Sequence, residues 1–335
     1  MKIKELIETS KEYDKSKKDY LLDTKEFEFN RLNSNWEHTQ LQMVIKASEL
    51  GSSWAAEDHL KTSVSMTDWA LRQLCQKLEG HPPTDYMLRC PPDLRAANLN
   101  RWREKTERKM LVRLDGEHAR AFLSEKYSAV GNTSVLEIAD EMLGDVPHEM
   151  YDTWIGPDGC HVRILVADHA GGHYKIGAYI SNGEIGNTMI RVLPLVQRTS
   201  CKNSVIFGDG GFWQRHINVS YPFIRGAMKE HLGQAFNLSV TYVGKLVEAE
   251  MEKIPDIKDV INRICINYDF SQNVRDDIMR GTEGQDTAMA VTNGLSFAAK
   301  GVQSPDEAAH MEIIAGLFIT DRKRVLVGID EGMEE

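Results

Sequence analysis

From Ser65 onward, apolar residues recur at helical spacing. Leu71, Leu74, Cys75 and Leu78 fall at i, i+3, i+4 and i+7 and form one stripe on a helix, which Gly80-His-Pro-Pro then breaks. Pro91-Pro92 suits the first turn of a second helix. That helix is expected to carry Arg95, Arg101, Arg103, Lys105, Arg108 and Lys109, the pattern of a solvated charged face. Period two then takes over. Met110–Leu114 and His118–Ser124 flank Asp115-Gly116, a hairpin signal because a type I′ turn needs positive φ. Ser134-Val-Leu-Glu137 reads as a capping box for a short helix ending near Leu143. Met150–Ile155, Cys160–Ala167 and His173–Ser181 read as strands joined by Gly156-Pro-Asp-Gly159 and Ala170-Gly-Gly172. A long extended run follows over Thr188–Phe207, bent or at an edge near Pro194, and then a glycine-rich loop from Gly208 to Trp213.

The rest is helical. Ser220 and Pro222 open a helix with Ile224, Met228, His231 and Ala235 on one face. Ile257, Val260, Ile261, Ile264, Cys265 and Tyr268 make another stripe, and Ser304-Pro-Asp-Glu307 is a second capping box leading towards Phe318. Short turns between strands imply antiparallel pairing, with helices packed on one face. The expected class is α+β: an antiparallel sheet built from a hairpin, a helix, three to four strands and a long helix, with helical segments before and after. The expected division is a polar arm over residues 1–64, a helical segment over 65–109, an α+β core over 110–240 and a helical segment over 241–335.

Composition narrows the picture. The chain has 335 residues and a formal net charge of −10. That argues against a simple basic DNA-coating protein but leaves room for a local basic face. Its five cysteines are scattered, odd in number and never spaced as CxxC, as in a reducing compartment. No apolar run reaches the roughly 18 residues of a membrane helix, and the N-terminus has no signal-peptide core. The expected location is the cytoplasm of a host cell.

Candidate chemistry is sparse. Gly208-Asp-Gly-Gly-Phe-Trp213 lacks the Lys-Ser/Thr of a phosphate loop. Cys160, His161, Asp168, His169 and His173 lie close together, and on a hairpin His161 and His173 could be cross-strand neighbours. Their spacing fits no standard zinc pattern. No serine elbow or activated cysteine is present. Asp140, Glu141, Asp145 and Glu149 could hold a divalent ion or form a solvated face. No catalytic residue, metal or cofactor is expected.

Three stretches carry a resemblance. Thr67-Asp-Trp-Ala-Leu-Arg-Gln-Leu continues through Pro83 and Asp93-Leu-Arg to Asn100-Arg-Trp. Leu111-Val-Arg-Leu-Asp-Gly is followed by Ala119-Arg-Ala-Phe-Leu-Ser-Glu-Lys-Tyr127 and Asn132. Tyr179-Ile-Ser-Asn-Gly-Glu-Ile-Gly186 precedes Ile190-Arg-Val and Arg198-Thr-Ser-Cys-Lys-Asn203. With Ala290-Val-Thr-Asn-Gly and Glu312-Ile-Ile-Ala-Gly316, they resemble a family of phages, prophages and plasmids known as a domain of unknown function, the nine-thirty-two family. The resemblance spans roughly residues 65–318. It departs at Ser200-Cys-Lys-Asn-Ser204, where the family usually has Val-Cys-Ser/Thr-Asn-Gly.

The order of elements is also similar to the β-β-β-α core of single-strand annealing proteins of recombination. That similarity implies single-stranded DNA held by its backbone, no nucleotide cofactor, and homo-oligomeric rings or filaments. The residues it would use are Arg191, Arg198 and Lys202 on the last long strand, with Arg198 and Lys202 facing one way; Arg120 and Lys126 on the hairpin; and Trp213 with Arg215 in the loop. Cations neutralise phosphates and aromatics stack bases. Each of these cations has an ordinary solvated reading too, and Phe212 and Trp213 a core-packing one. Two other functions stay open: an acidic, non-enzymatic host-takeover or anti-defence protein, and a metal-dependent nuclease using the His161/His169/His173 or acidic clusters.

Overall fold

The computed structural model describes residues 2–31, 41–45 and 63–327. Residues 32–40 and 46–62 of the expected arm, and the acidic C-terminal tail, lie outside the described residues. The protein is mixed α+β, with two six-stranded sheets among the described residues.

The first sheet has the order β1 (Lys17–Asp23), β5 (Lys109–Asp115), β6 (His118–Ser124), β4 (Ser63–Met66), β3 (Leu41–Ile45) and β2 (Phe27–Arg31). Its pairs are antiparallel except β4 with β6. The helix α2 (Asp68–Lys77) packs on it and buries the expected Leu71, Leu74, Cys75 and Leu78. Thr67 caps this helix, its hydroxyl accepting the Ala70 N–H at 3.1 Å. A short helix α3 (Thr84–Arg89) precedes α4 (Pro92–Lys105), which starts at the proline pair. The α4 face expected to be solvated is only partly so. Arg103 is buried and donates to the Thr24 carbonyl at 2.9 Å, and Arg95 donates to the carbonyls of Leu88 and Cys90.

The beginning of the chain is not a peripheral arm. On α1 (Ile3–Asp14), Ile3, Leu6 and Ile7 bury one stripe against α5 (Asn132–Leu143), and β1 pairs with β5 along its whole length. Phe27 and Phe29 sit in the core of the first sheet. Few apolar residues are present here, but Ile3, Leu6, Ile7, Leu22, Phe27 and Phe29 are buried, and the surrounding charges hide the stripe.

The second sheet is an antiparallel meander. It runs β7 (Glu149–Gly156), β8 (Gly159–His169), β9 (Tyr174–Gly183), β10 (Ile190–Arg198) and β11 (Ser204–Ile206). A short strand, β12 (Phe212–Gln214), shares the outer edge of β10 with β11. The run expected to be continuous over Thr188–Phe207 is therefore two strands joined by a turn at 199–203. Pro194 falls in the gap between the part of β10 that pairs with β12 and the part that pairs with β11, where a missing N–H is tolerated.

Helices cover both faces of this sheet, not one. Cys160, Val162, Ile164, Ala178, Ile180, Ile190 and Val192 pack against α1, α5 and the 31-residue α6 (Tyr221–Met251). Leu165, Tyr179, Leu193, Leu195 and Ile206 face α10 (Pro305–Thr320). Gly316 of α10 lies so close to the Ile206 carbonyl that a methyl group there would collide with it. Helices α7 (Ile257–Asn267), α8 (Gln272–Gly281) and α9 (Ala288–Ala299) join the C-terminal half of α6 in the largest apolar cluster. No helix among the described residues is long and apolar enough to cross a membrane.

Candidate nucleic-acid interface

Strand register builds one cross-strand row on the α10 face. Trp154 pairs with His161, His161 with Ser181, Ser181 with Arg191, and Arg191 with Trp213. One residue comes from each of β7, β8, β9, β10 and β12. Because side chains alternate across a strand, all five project to the same face. The ends of the row are aromatic and open: Trp154 is 38% exposed and Trp213 39%.

The middle of the row is closed by α10. His161 is buried, with Nδ1 2.6 Å from the Tyr179 hydroxyl and Nε2 3.4 Å from the Asp306 carboxylate. Its ring lies 5.7 Å from that of Trp154. Burial pushes the Tyr179 hydroxyl up to about 12. Burial also works against the Asp306 carboxylate, but His161, Arg191 and Thr188 outweigh it and hold that group below the usual range. His310, one turn along α10, is pushed down by burial and by Arg191.

Arg191 is the unusual member. Its guanidinium lies over the Trp213 ring at 4.9 Å. Among the described residues it makes no hydrogen bond or close ion pair, although its charge acts on Asp306 and His310, and its Nε is buried without a partner. A guanidinium positioned by stacking, with its N–H fork uncommitted, suits a bidentate anion such as a phosphate. Trp213 is held in turn by its indole N–H, which donates to the Gly208 carbonyl at 3.2 Å.

Arg215 continues from β12 and is exposed. Lys126 is also exposed, and its backbone lies alongside the same segment: its carbonyl accepts the Asn218 N–H at 2.9 Å, next to the Tyr127–Ile217 bridge. Arg191, Trp213, Arg215 and Lys126 thus share one end of the second sheet.

The other expected residues do not join them. Arg198 lies seven positions from Arg191 on β10, roughly 23 Å away, and on the opposite face, where it pairs with Glu250 of α6 at 3.3 Å. Lys202 is not on a strand. It sits in the turn after β10 with φ +55°, so it and Arg198 do not form the expected same-face pair. Arg120 is spent between Asp115, at 3.4 Å, and Asp158.

The histidine cluster also resolves differently. His161 is in register with Ser181, not His173, and His169 lies at the far end of β8. Among the described residues no three His, Cys, Asp or Glu side chains are placed to hold a metal ion. Of the expected acidic cluster, Glu141 is engaged by Arg225 and Lys229.

The sequence reading missed Trp154, Tyr179, Asp306 and His310. The first was within reach. A two-residue turn at 157–158 pairs Gly156 with Gly159, which fixes Trp154 opposite His161. The α10 residues carry no such local signal.

A second buried polar centre lies between the two sheets. The Glu184 carboxylate is buried, takes the Asn132 N–H at 2.8 Å at the start of α5, and pairs with Lys17 at 2.5 Å. Arg113 reaches its carboxylate at 3.6 Å and donates to its carbonyl. The capping box expected at Ser134 is therefore displaced: α5 begins at Asn132 with Gly131 as N-cap, and its free N–H is met by Glu184.

No family model matches the chain, and no curated protein or solved structure matches it significantly.

Proposed function

We propose that the protein binds single-stranded DNA, without a nucleotide cofactor, through the Arg191–Trp213 end of its second sheet, and that this binding serves strand annealing. The observation that carries the reading is the uncommitted Arg191 guanidinium stacked on a half-exposed Trp213. A base stacks on the free indole face, a backbone phosphate takes the guanidinium fork, and Arg215 and Lys126 extend the cationic track. Single strands fit this arrangement better than duplex, because only an unpaired base offers its face to a flat ring at a surface. Annealing is suggested by the similarity of the element order to single-strand annealing proteins; the family resemblance itself carries no reaction.

The test is fluorescence anisotropy with a labelled single-stranded oligonucleotide and its duplex at two salt concentrations. Salt-sensitive binding that prefers the single strand is expected. Trp213→Ala costs about 1–3 kcal/mol of binding, roughly 5- to 150-fold in affinity. Arg191→Ala flattens the dependence on salt by about one phosphate contact. Arg198→Ala, on the opposite face and paired with Glu250, leaves affinity unchanged. Absence of binding at low salt, or variants at Arg191 and Trp213 that bind like the parent, sinks the reading. The net charge of −10 then favours the acidic, protein-binding alternative.

A further inference from the structure

Helix α10 lies across the row that ends at Trp213, and three of its residues mark the crossing. Asp306 is 3.4 Å from His161 of β8. Ile313 sits beside Trp213 of β12: a Cβ added at Gly208 would touch the Trp213 ring at 3.5 Å and Ile313 at 3.6 Å. His310 comes four residues after Asp306 and three before Ile313, so the three share one stripe of the helix. His310 therefore falls between them, where β9 and β10 present Ser181 and Arg191. The electrostatics agree, since the Arg191 charge acts on Asp306 and on His310 alike.

Unlike the buried His161, His310 is open to solvent and crowded only on its inner sides. Its ring meets that of Tyr268, the C-cap of α7, in a T-shaped contact at 5.7 Å, which orients the imidazole. Among the described residues neither ring nitrogen makes a hydrogen bond. An uncommitted guanidinium and an uncommitted imidazole thus stand together at the open end of the row.

The other charged and titratable groups about His310 come from each element around it. Arg191 belongs to β10 and His161 to β8. Tyr268 belongs to the end of α7, and burial keeps it a neutral phenol. Asp306 and Glu307 belong to the preceding turn of α10; the first is engaged by His161 and the second is exposed to solvent. Burial and the Arg191 cation hold His310 below the ordinary histidine range, so the ring is uncharged near pH 7. A phosphate on the Arg191 fork reverses that field. It offsets the guanidinium charge and brings an anionic acceptor to a ring nitrogen without a partner, and both changes favour the protonated ring.

We propose that His310 is the second contact of this site and links it to pH: a backbone phosphate on the Arg191 fork also accepts a hydrogen bond from His310, which takes up a solvent proton as the strand binds. This rests on the reading of the Arg191–Trp213 end as the DNA site, and it names the residue that regulates that site. Binding and protonation are then coupled. The ring is neutral in the free protein and charged in the complex, so affinity climbs as pH falls. The gain begins as pH drops through the bound-state value and is complete below the free-state one. A shift of one unit between the two states is worth about tenfold in affinity.

The experiment is fluorescence anisotropy of the full chain with a labelled oligothymidylate at one salt concentration, from about pH 5.5 to about pH 8, the range in which histidine titrates. Thymine carries no group that titrates there. Parent affinity rises about tenfold from the alkaline end to the acid end. His310→Gln keeps a donor at this exposed position but takes no proton. It matches the parent at the alkaline end, shows no rise, and melts as the parent does. Calorimetric titration in two buffers of different ionisation enthalpy counts the proton directly: the parent takes up part of one near about pH 6.5, and the variant none. A parent whose affinity is level across the range, or a His310→Gln protein that keeps the parent's rise, overturns the role of His310 and leaves the Arg191–Trp213 site standing. No binding at any pH overturns both.

Discussion

His216 shows how much one side chain can couple this fold to pH. Its ring is buried, stacked on Tyr127 at 5.0 Å, with Nδ1 3.2 Å from the Ser128 carbonyl and Nε2 without a partner. Burial lowers it to about 4, with Arg113 adding to the effect. The folded state therefore resists a proton that the unfolded chain accepts at about 6.5. Stability from this group is complete above about pH 6.5 and is lost as the pH falls towards 4, by up to about 3 kcal/mol. Urea unfolding at about pH 7 and about pH 4.5 measures it: the parent loses more stability than His216→Phe, which keeps a ring on Tyr127 but carries no proton. Equal losses in the two proteins would show that the acid sensitivity lies elsewhere. Nothing in Gln214-Arg-His-Ile217 marks this histidine as buried, because its burial comes from the Tyr127–Ile217 bridge, a contact between residues far apart in sequence.

At the scale of elements, what was legible followed period and turn chemistry. The β7–β8–β9 hairpins, α2, α4 and the capped α10 all lie where alternation, proline and serine placed them, Ser304 accepting the Glu307 N–H at 3.3 Å. The face each element buries was harder to read. Helix α10 is sandwiched between the sheet and its helical neighbours, so its apolar residues run nearly all round and show no stripe. Within it Glu312 is buried and accepts from Arg163 at 2.6 and 3.1 Å, and it also takes the Ser204 hydroxyl. Burial disfavours the Arg163 cation, but Glu312 more than restores it. A buried pair of this kind is costly to break and cheap to replace whole. Arg163→Met or Glu312→Leu alone should destabilise by about 3–5 kcal/mol, and the double substitution should recover most of that loss. Additive losses in urea titrations would show that the two side chains stabilise α10 separately.

At the scale of the molecule, the two sheets meet at three consecutive residues, the last of β9 and the two that follow it. The first-sheet unit grips all three carbonyls. Tyr127 donates to Gly183 at 3.0 Å, Arg113 to Glu184, and Trp69 and Gln73 to Ile185 at 3.0 and 2.7 Å. Ile185 packs with Ala121 and Leu123, and Gly186 needs its positive φ of +72° to turn away from Leu123. The same geometry makes Glu184 the residue on which cooperative unfolding depends. Its carboxylate answers Lys17 from β1, Arg113 from β5 and the N-terminus of α5 together. Glu184→Ala leaves the two cations with only Asp14 and Asp19 and orphans the Asn132 N–H. A loss of about 3 kcal/mol is expected. Because the lost contacts lie between the sheets, calorimetry should show more than a lower midpoint. The van't Hoff enthalpy of the variant should fall below the calorimetric one as the two units begin to melt separately. A single transition with equal enthalpies and a midpoint within a degree or so of the parent would mean that the apolar contacts around Ile185 hold the sheets together without the carboxylate.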